Sequence, residues 1–366
     1  MANIADHQAF LLGRELYARL TRRDLLRTAV LTAGLASLPG ALHRSTANAA
    51  QPSVVVKYGH TSGVHEMAQY VVPDFLPAGY RVEWVDFGIA GIGRLAAMMQ
   101  GQCDVMSTAN SYVISGRAEG AKITGICGIA GRGQAIVARE DRGIKRLEDL
   151  RGKRLTTKKF TSSHVMLMLT LRAVGIDPNK DVQIVDCGEP AGFNVMLERG
   201  EADAGQLWEP NVSIAASKPG IVKLELTRFF QLTWPTHSGS FVTQKMIEER
   251  PDLMQALVDA TIKATDVLKK DRERWIRISE KYLAQPPEIL RSAIDNSDPR
   301  VDFDLTMLYR NAEVMLELGI IKKDVAPEME QAVDYRFLEK ATGKRKEDVG
   351  YVSYADYKRG KRYVPA

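Results

Sequence analysis

Thr161, Ser162 and Ser163 stand in a row just before a run of residues with apolar side chains at helical spacing. A helix start presents unbonded backbone N–H groups and the positive end of the helix dipole, so hydroxyls placed there suit an oxyanion. The adjoining Lys158 and Lys159 read as a solvated pair, because lysine is seldom buried. His60, Thr61 and Ser62 follow a β-branched run; one hydroxyl can cap a helix starting near Val64, while the other and His60 can face a ligand. Asn110 and Ser111 follow another strand-like run, where the Asn amide can orient a polar solute or simply cap the next helix. Trp208 and Glu209 precede Pro210: the indole can stack on a flat ligand or wall a pocket, and the carboxylate can accept from a ligand N–H or brace a loop. Arg132, between Gly131 and Gly133, has the planar fork that grips a carboxylate or sulfonate, with a plain surface position as the other reading.

Bond-breaking chemistry finds no support in the same sequence. There is no nucleophile elbow, no His-Glu-x-x-His pair and no cluster of His, Asp and Cys at metal-ligand spacing, and the six histidines are scattered. Residues 88–93 place glycines after a strand and before a helix, but their spacing is not that of a dinucleotide fingerprint and no acidic residue follows to hold a ribose. We therefore expect no catalytic residue, no metal and no cofactor. Cys103, Cys127 and Cys187 lack Cys-x-x-Cys spacing and read as small buried residues, a disulfide between two of them being the alternative in an oxidising compartment.

The elements that must position these clusters alternate in type. Strands are expected at 53–58, 80–87, 103–108 and 122–130, with helices at 64–72, 94–100 and 111–119 between them. The pattern restarts with strands at 134–139, 154–157, 182–186 and 204–207 and helices at 162–174 and 191–199. Alternation of this kind predicts mostly parallel sheets covered by helices, and its restart predicts a second α/β lobe. After a strand at 240–243, long amphipathic helices follow, and the stretch 346–366 reads as a surface arm. In open α/β sheets the ligand lies beyond the carboxyl ends of the strands, where the polar clusters fall.

Composition bounds the class. With 45% apolar and 26% charged residues the chain is globular, and at 366 residues two lobes are the natural division. Residues 1–49 carry six arginines against three acidic residues, so the remainder is nearly balanced and offers no electrostatic case for nucleic acid. Those first 49 residues have the order of an export signal: Arg22-Arg23 followed two residues on by Leu25-Leu26, a mildly apolar stretch, then Ala47-Asn48-Ala49 as a cleavage site. The arginine pair resembles the twin-arginine type, which predicts a periplasmic protein cleaved near Ala49.

Four segments in order carry a family resemblance: GIAGIGRLAAMMQGQCDVMSTA at 88–109, IKRLEDLRGK at 144–153, MLERGEADAGQLWEP at 196–210 and GSFVTQKMIEER at 239–250. Together they resemble the nitrate/taurine/sulfonate class of ABC solute-binding proteins. The resemblance implies an α/β two-lobe periplasmic-binding-protein type II fold with two hinge crossings, near 137–140 and 235–240, and C-terminal helices. Lobe one would comprise 51–138 and 239–345, and lobe two 139–238. Trp234 and His237 would sit at the second crossing, packing the hinge or reaching the ligand. The resemblance also implies a monomer that hands a small anionic or polar organic solute, sulfonate-like or nitrate-like, to a permease and ATPase complex. It sharpens Thr161 to Ser163 as an oxyanion site. A pyrimidine or aromatic carboxylate is the alternative ligand, and an enzyme on the same fold, akin to those of pyrimidine synthesis, the alternative function.

Overall fold

The computed structural model describes residues 54–60, 63–86, 91–233 and 238–364. Thr61, Ser62, Trp234, His237 and the expected export signal lie outside these described residues. Two five-stranded sheets organise the rest. The first runs β2 (Tyr80–Val85), β1 (Val54–Gly59), β3 (Val105–Ala109), β10 (Ser238–Thr243), β4 (Ile123–Ala130). The second runs β7 (Gln183–Asp186), β6 (Arg154–Thr157), β8 (Ala204–Trp208), β5 (Gln134–Arg139), β9 (Ile221–Lys223).

Each sheet contains one reversed strand, for a topological reason. β1 is parallel to β2 and β3, and β6 to β7 and β8, but β10 is antiparallel to both neighbours and so is β5. These two are the strands that enter each sheet after a crossing. The chain leaves one sheet at the carboxyl edge of its parallel strands and arrives at the same edge of the other, so the arriving strand has to run away from it. The first crossing is therefore at 131–133, ahead of the expected 137–140, because all of β5 pairs within the second sheet. Gly133 has φ +117° there, and a Cβ on it would collide with the His65 ring, so both the backbone and the packing demand glycine.

Helices follow most parallel strands: α1 (Gly91–Met99), α2 (Asn110–Ala118), α3 (Ser162–Ala173), α4 (Pro190–Glu198) and α5 (Asn211–Ala216), with α6 (Leu226–Thr233) leading to the second crossing. The expected helix at 64–72 is instead a 3-10 turn over Val64–Tyr70. Alternate residues of β5 supply opposite faces of the second sheet: Ile136 and Ala138 join one buried cluster, Ala135 and Val137 the other. The chain then adds α7 (Gln244–Glu249), α8 (Pro251–Lys270), α9 (Arg272–Leu283), α10 (Pro287–Asp295) and α11 (Leu305–Glu317) to the first sheet's core. α8 buries Leu253, Met254, Leu257, Val258, Thr261, Ala264 and Leu268, the i, i+3, i+4 stripe of an amphipathic helix.

The last segment is not the surface arm its composition suggests. After α12 (Arg336–Thr342), the chain sends Val349, Val352, Tyr357 and Tyr363 into the first core, Tyr357 from α13 (Tyr354–Lys358), and the Tyr309 hydroxyl donates to the Val352 carbonyl at 2.8 Å. Its tyrosines supply apolar area while their hydroxyls find acceptors, which a hydropathy reading cannot separate from solvated polarity. All three cysteines are free thiols and buried.

Beside the crossing lies a buried ion pair that ties the two sheets' elements together. Glu209, fully buried at the end of β8, accepts from Lys223 Nζ at 3.0 Å, from Asn296 Nδ2 at 2.8 Å and from the Ser213 backbone at 3.0 Å. Lys223 also donates to Ser213 Oγ at 2.7 Å and to the Ser292 carbonyl at 3.1 Å. Lys223 and Ser213 belong to the second sheet's elements, whereas Ser292 and Asn296 belong to α10 and its C-cap. The Glu209 backbone N–H closes the ring by donating to the Gly133 carbonyl at 2.8 Å.

Removing one partner of such a pair leaves a buried charge uncompensated. Lys223→Met is expected to cost about 3–5 kcal/mol in denaturant unfolding, and the double variant Glu209→Gln with Lys223→Met clearly less than that. A single variant that unfolds like the parent would show the pair to be energetically idle. Asp304, the N-cap of α11, offers a pH signature. It is fully buried, accepts from Thr306 N at 2.8 Å and Thr306 Oγ1 at 2.6 Å, and burial pushes its carboxyl up to about 7. The folded state keeps a proton that an unfolded aspartate releases near pH 4, so this contribution is present below that pH and is lost as pH rises towards 7. Asp304→Asn should flatten that part of the melting temperature against pH; an unchanged slope would place the titration elsewhere.

Candidate functional site

The carboxyl edges of the two sheets line a cleft of about 400 Å³. Parallel βα units deliver helix starts to this edge, and among the described residues three helices of nine residues or more begin here without a side-chain cap. α3 is the clearest. Its N-cap is Thr161, yet the Thr161 hydroxyl donates to the Lys158 carbonyl at 2.7 Å and caps nothing. α2 begins after Ala109, which has no group to cap with, and α4 starts with Pro190; Ala109 and Pro190 both line the cleft.

The hydroxyls and amides around α3 form a directed chain. Gln206 Nε2 donates to Gln134 Oε1 at 3.1 Å, and Gln134 Nε2 donates to Ser162 Oγ at 3.2 Å. Ser162 therefore accepts from Gln134 and keeps its own O–H to donate, and both Gln134 and Ser162 line the cleft. From the first sheet's side come Arg94 of α1, almost fully buried, and Tyr112 of α2, whose hydroxyl pKa is raised chiefly by burial. Glu66 and His65 line the same wall. Burial lowers His65 to about 3, so the ring is neutral at ordinary pH and its 4.0 Å approach to Glu66 is not an ion pair. Trp208, Ile214, Tyr282 and Leu283 supply the apolar walls.

Of the residues singled out from sequence, Thr161, Ser162 and Trp208 line the cleft. Ser163 is fully buried in the first turn of α3 and does not. Asn110 and Ser111 are buried in the first turn of α2, behind the Thr108 and Ala109 that do. His60 is held away from the lining: Tyr70 Oη lies 2.7 Å from its Nδ1, and its ring sits edge-on to Trp84 with centroids 5.8 Å apart. Arg132 is half-buried at the first crossing without lining the cleft, and Glu209 takes the bracing role in place of ligand contact. Sequence reasoning missed Gln134 and Ser238, because it looked only beyond carboxyl ends of strands, whereas these open the two reversed strands. It missed Arg94 and Glu66 because each sits within a helical turn, where a charged residue reads as solvated.

Comparison with known proteins agrees with this architecture. A family model described as NMT1/THI5 like matches residues 90–274. A protein of Escherichia coli (strain K12) named for binding aliphatic sulfonates is 27% identical over 238 residues, covering 64% of this chain and 70% of its own. The taurine-binding periplasmic protein of the same organism is 25% identical over 252 residues, covering 68% and 75%. The crystal structure of the periplasmic aliphatic sulphonate binding protein SsuA from Escherichia coli superposes with a TM-score of 0.62 at 21% identity, covering 75% of this chain and 91% of that one, which shows the periplasmic-binding-protein fold. The chain belongs to the NMT1/THI5-like family.

Proposed function

We propose that this chain is the periplasmic solute-capturing component of an ABC importer, and that its cleft takes a small organic anion of the sulfonate type. The observation that carries the reading is the start of α3, uncapped by its own Thr161 and opening on the cleft that buried Arg94 also lines. Helix-start N–H groups and the Ser162 hydroxyl form a donor set that suits an acceptor-rich, negatively charged group, with Arg94 in the same lining. The apolar walls from Trp208, Ile214 and Leu283 leave room for an organic remainder.

Capture follows from the division of those groups between the sheets. α3 belongs to the second sheet and Arg94 to the first, so a solute that touches both favours the arrangement in which the two edges stand close. The closed form is what a permease and ATPase complex would recognise, with residues 1–49 serving as a twin-arginine export signal and the mature protein acting as a monomer. The names of the relatives support the sulfonate class. The cleft lining combines helix starts, the Ser162 hydroxyl and Arg94 with the Glu66 carboxylate and apolar walls.

A melting-temperature screen against ethanesulfonate, taurine, nitrate, uracil and benzoate tests the reading. A ligand at 100 times its dissociation constant adds about 2.7 kcal/mol, expected here as a rise of roughly 5 °C or more with a sulfonate. Stabilisation by uracil or benzoate alone would replace the ligand class. Because burial holds His65 at about 3 and His164 at about 4, neither ring changes charge at neutral pH. Ethanesulfonate affinity by titration calorimetry should vary less than about threefold from pH 5.5 to 8; a loss of affinity through that range would mean a protonated histidine holds the anion.

A further inference from the structure

Phe160, two residues ahead of α3, is placed at a cost that the fold itself does not need. Its φ is +62°, in the left-handed region, and it is 61% exposed, the one aromatic among the exposed large apolar residues described. Among the described residues two other non-glycine positions share a positive φ, and each has a structural use: Glu225 accepts from the Leu147 backbone at 2.6 Å, and Ala284 is the C-cap of α9. The contacts of Phe160 are a backbone N–H bond to His164 Nδ1 at 3.3 Å, which any residue could make, and an edge-on approach to the His164 ring with centroids 6.1 Å apart. Glycine would serve this turn with less strain, and a polar side chain would sit better in water. The turn is nonetheless firmly held on both sides of the ring. The Lys159 backbone donates to Asp186 at 3.1 Å, Lys158 Nζ to Glu189 at 3.2 Å and the Thr161 hydroxyl to the Lys158 carbonyl. The chain thus fixes an aromatic ring in the open, directly before Thr161 and Ser162 of the cleft lining.

We infer that Phe160 is a specificity-determining residue, its ring covering the organic part of the bound solute from the second sheet's rim of the cleft. This rests on reading the cleft as a sulfonate site and deepens it, because such a ring selects sulfonates that carry an aromatic or bulky apolar group. Two observations give the ring this occupant. A charged head at the start of α3 has Phe160 as the adjoining residue of the chain, so an organic group leaving that point at the rim meets the ring. The cleft, at about 400 Å³, also falls in the size range of pockets that hold drug-sized molecules, and a one-carbon sulfonate would leave most of it empty. Trp208, Ile214 and Leu283 offer apolar surface to the same group from within the lining. Covering the ring withdraws from water the apolar area that Phe160 now exposes, so what the fold loses by holding it there returns as affinity for solutes large enough to cover it.

The test uses Phe160→Gly, which removes the ring and suits the positive φ, and Phe160→Tyr, which keeps the ring. Calorimetric titration should show the parent binding benzenesulfonate at least about tenfold more tightly than methanesulfonate. In Phe160→Gly the dissociation constant for benzenesulfonate should rise at least about tenfold while that for methanesulfonate stays within about threefold, and Phe160→Tyr should hold both within about threefold. Without ligand, Phe160→Gly should melt at or above the parent temperature, because a strained, water-facing ring has been removed. A parent without the preference, an equal loss or no loss for the two solutes in Phe160→Gly, a Phe160→Tyr protein that behaves like Phe160→Gly, or a clear fall in the ligand-free melting temperature would each overturn the inference. A parent protein that binds neither benzenesulfonate, methanesulfonate nor ethanesulfonate would instead remove the sulfonate reading itself and this inference with it.

Discussion

A helix that follows a parallel strand has to start at that strand's carboxyl edge, and this one constraint arranges everything else in the molecule. With two sheets facing each other across their carboxyl edges, each βα unit sends a positive helix end towards the same space. α2 arrives from the first sheet, α3 and α4 from the second. The cleft is thus rich in backbone donors before any side chain is chosen. Side chains then decide whether those donors are used up internally. Thr161 turns its hydroxyl to Lys158, Ala109 has none to offer, and the carboxylate of Glu189, the N-cap of α4, accepts from Lys158. All three leave their helix starts without a side-chain cap, and all three are at one edge.

The same constraint reverses the two strands that follow a crossing and so places their first residues in the site. Gln134 and Ser238 are the first residues of β5 and β10, and both are buried in the cleft wall. The crossing beside Gln134 is short and firmly held. Its carbonyl at Gly133 receives the Glu209 backbone, its Gly131 N–H donates to the Asp298 carbonyl at 2.8 Å, and His65 packs against Gly133. Glu209 is an ion out of water, acceptable only because Lys223 and Asn296 both reach it. Those partners come from different sheets' elements, so the pair fixes their spacing close to where the chain passes between them.

These facts show what a sequence can and cannot disclose here. Strand and helix order was legible because each element carries its own periodicity, and the site's second-sheet half was legible because Thr161 and Ser162 fall at an obvious helix start. The alternation restarts at 134–139, as β5 does; the crossing near 137–140 was what the family resemblance implied, and it falls a few residues late. The C-terminal tyrosines looked solvated because sequence alone does not reveal that the Tyr357 hydroxyl reaches Glu313 and the Tyr363 hydroxyl Asp302. His60 and Glu209 were chosen for their chemistry at strand ends. The structure gives His60 to an aromatic stack and Glu209 to an ion pair, and such partnerships depend on residues far away in the chain, Asn296 being 87 positions from Glu209.

The balance of donors and acceptors explains how a site of modest polarity can discriminate. Each buried hydroxyl or helix-start N–H left without an acceptor costs roughly 1–3 kcal/mol relative to its hydrated state. Three helix starts without a side-chain cap gather at this edge, those of α2, α3 and α4. Water can relieve part of that cost, but a water molecule brings protons of its own and accepts only twice. An oxyanion brings acceptors alone, and more of them. On the proposed reading, solutes would compete for this cleft by how many donors they satisfy, with shape set by the Trp208, Ile214 and Leu283 walls. An apolar molecule of the same size would fill the space and leave the donors bare.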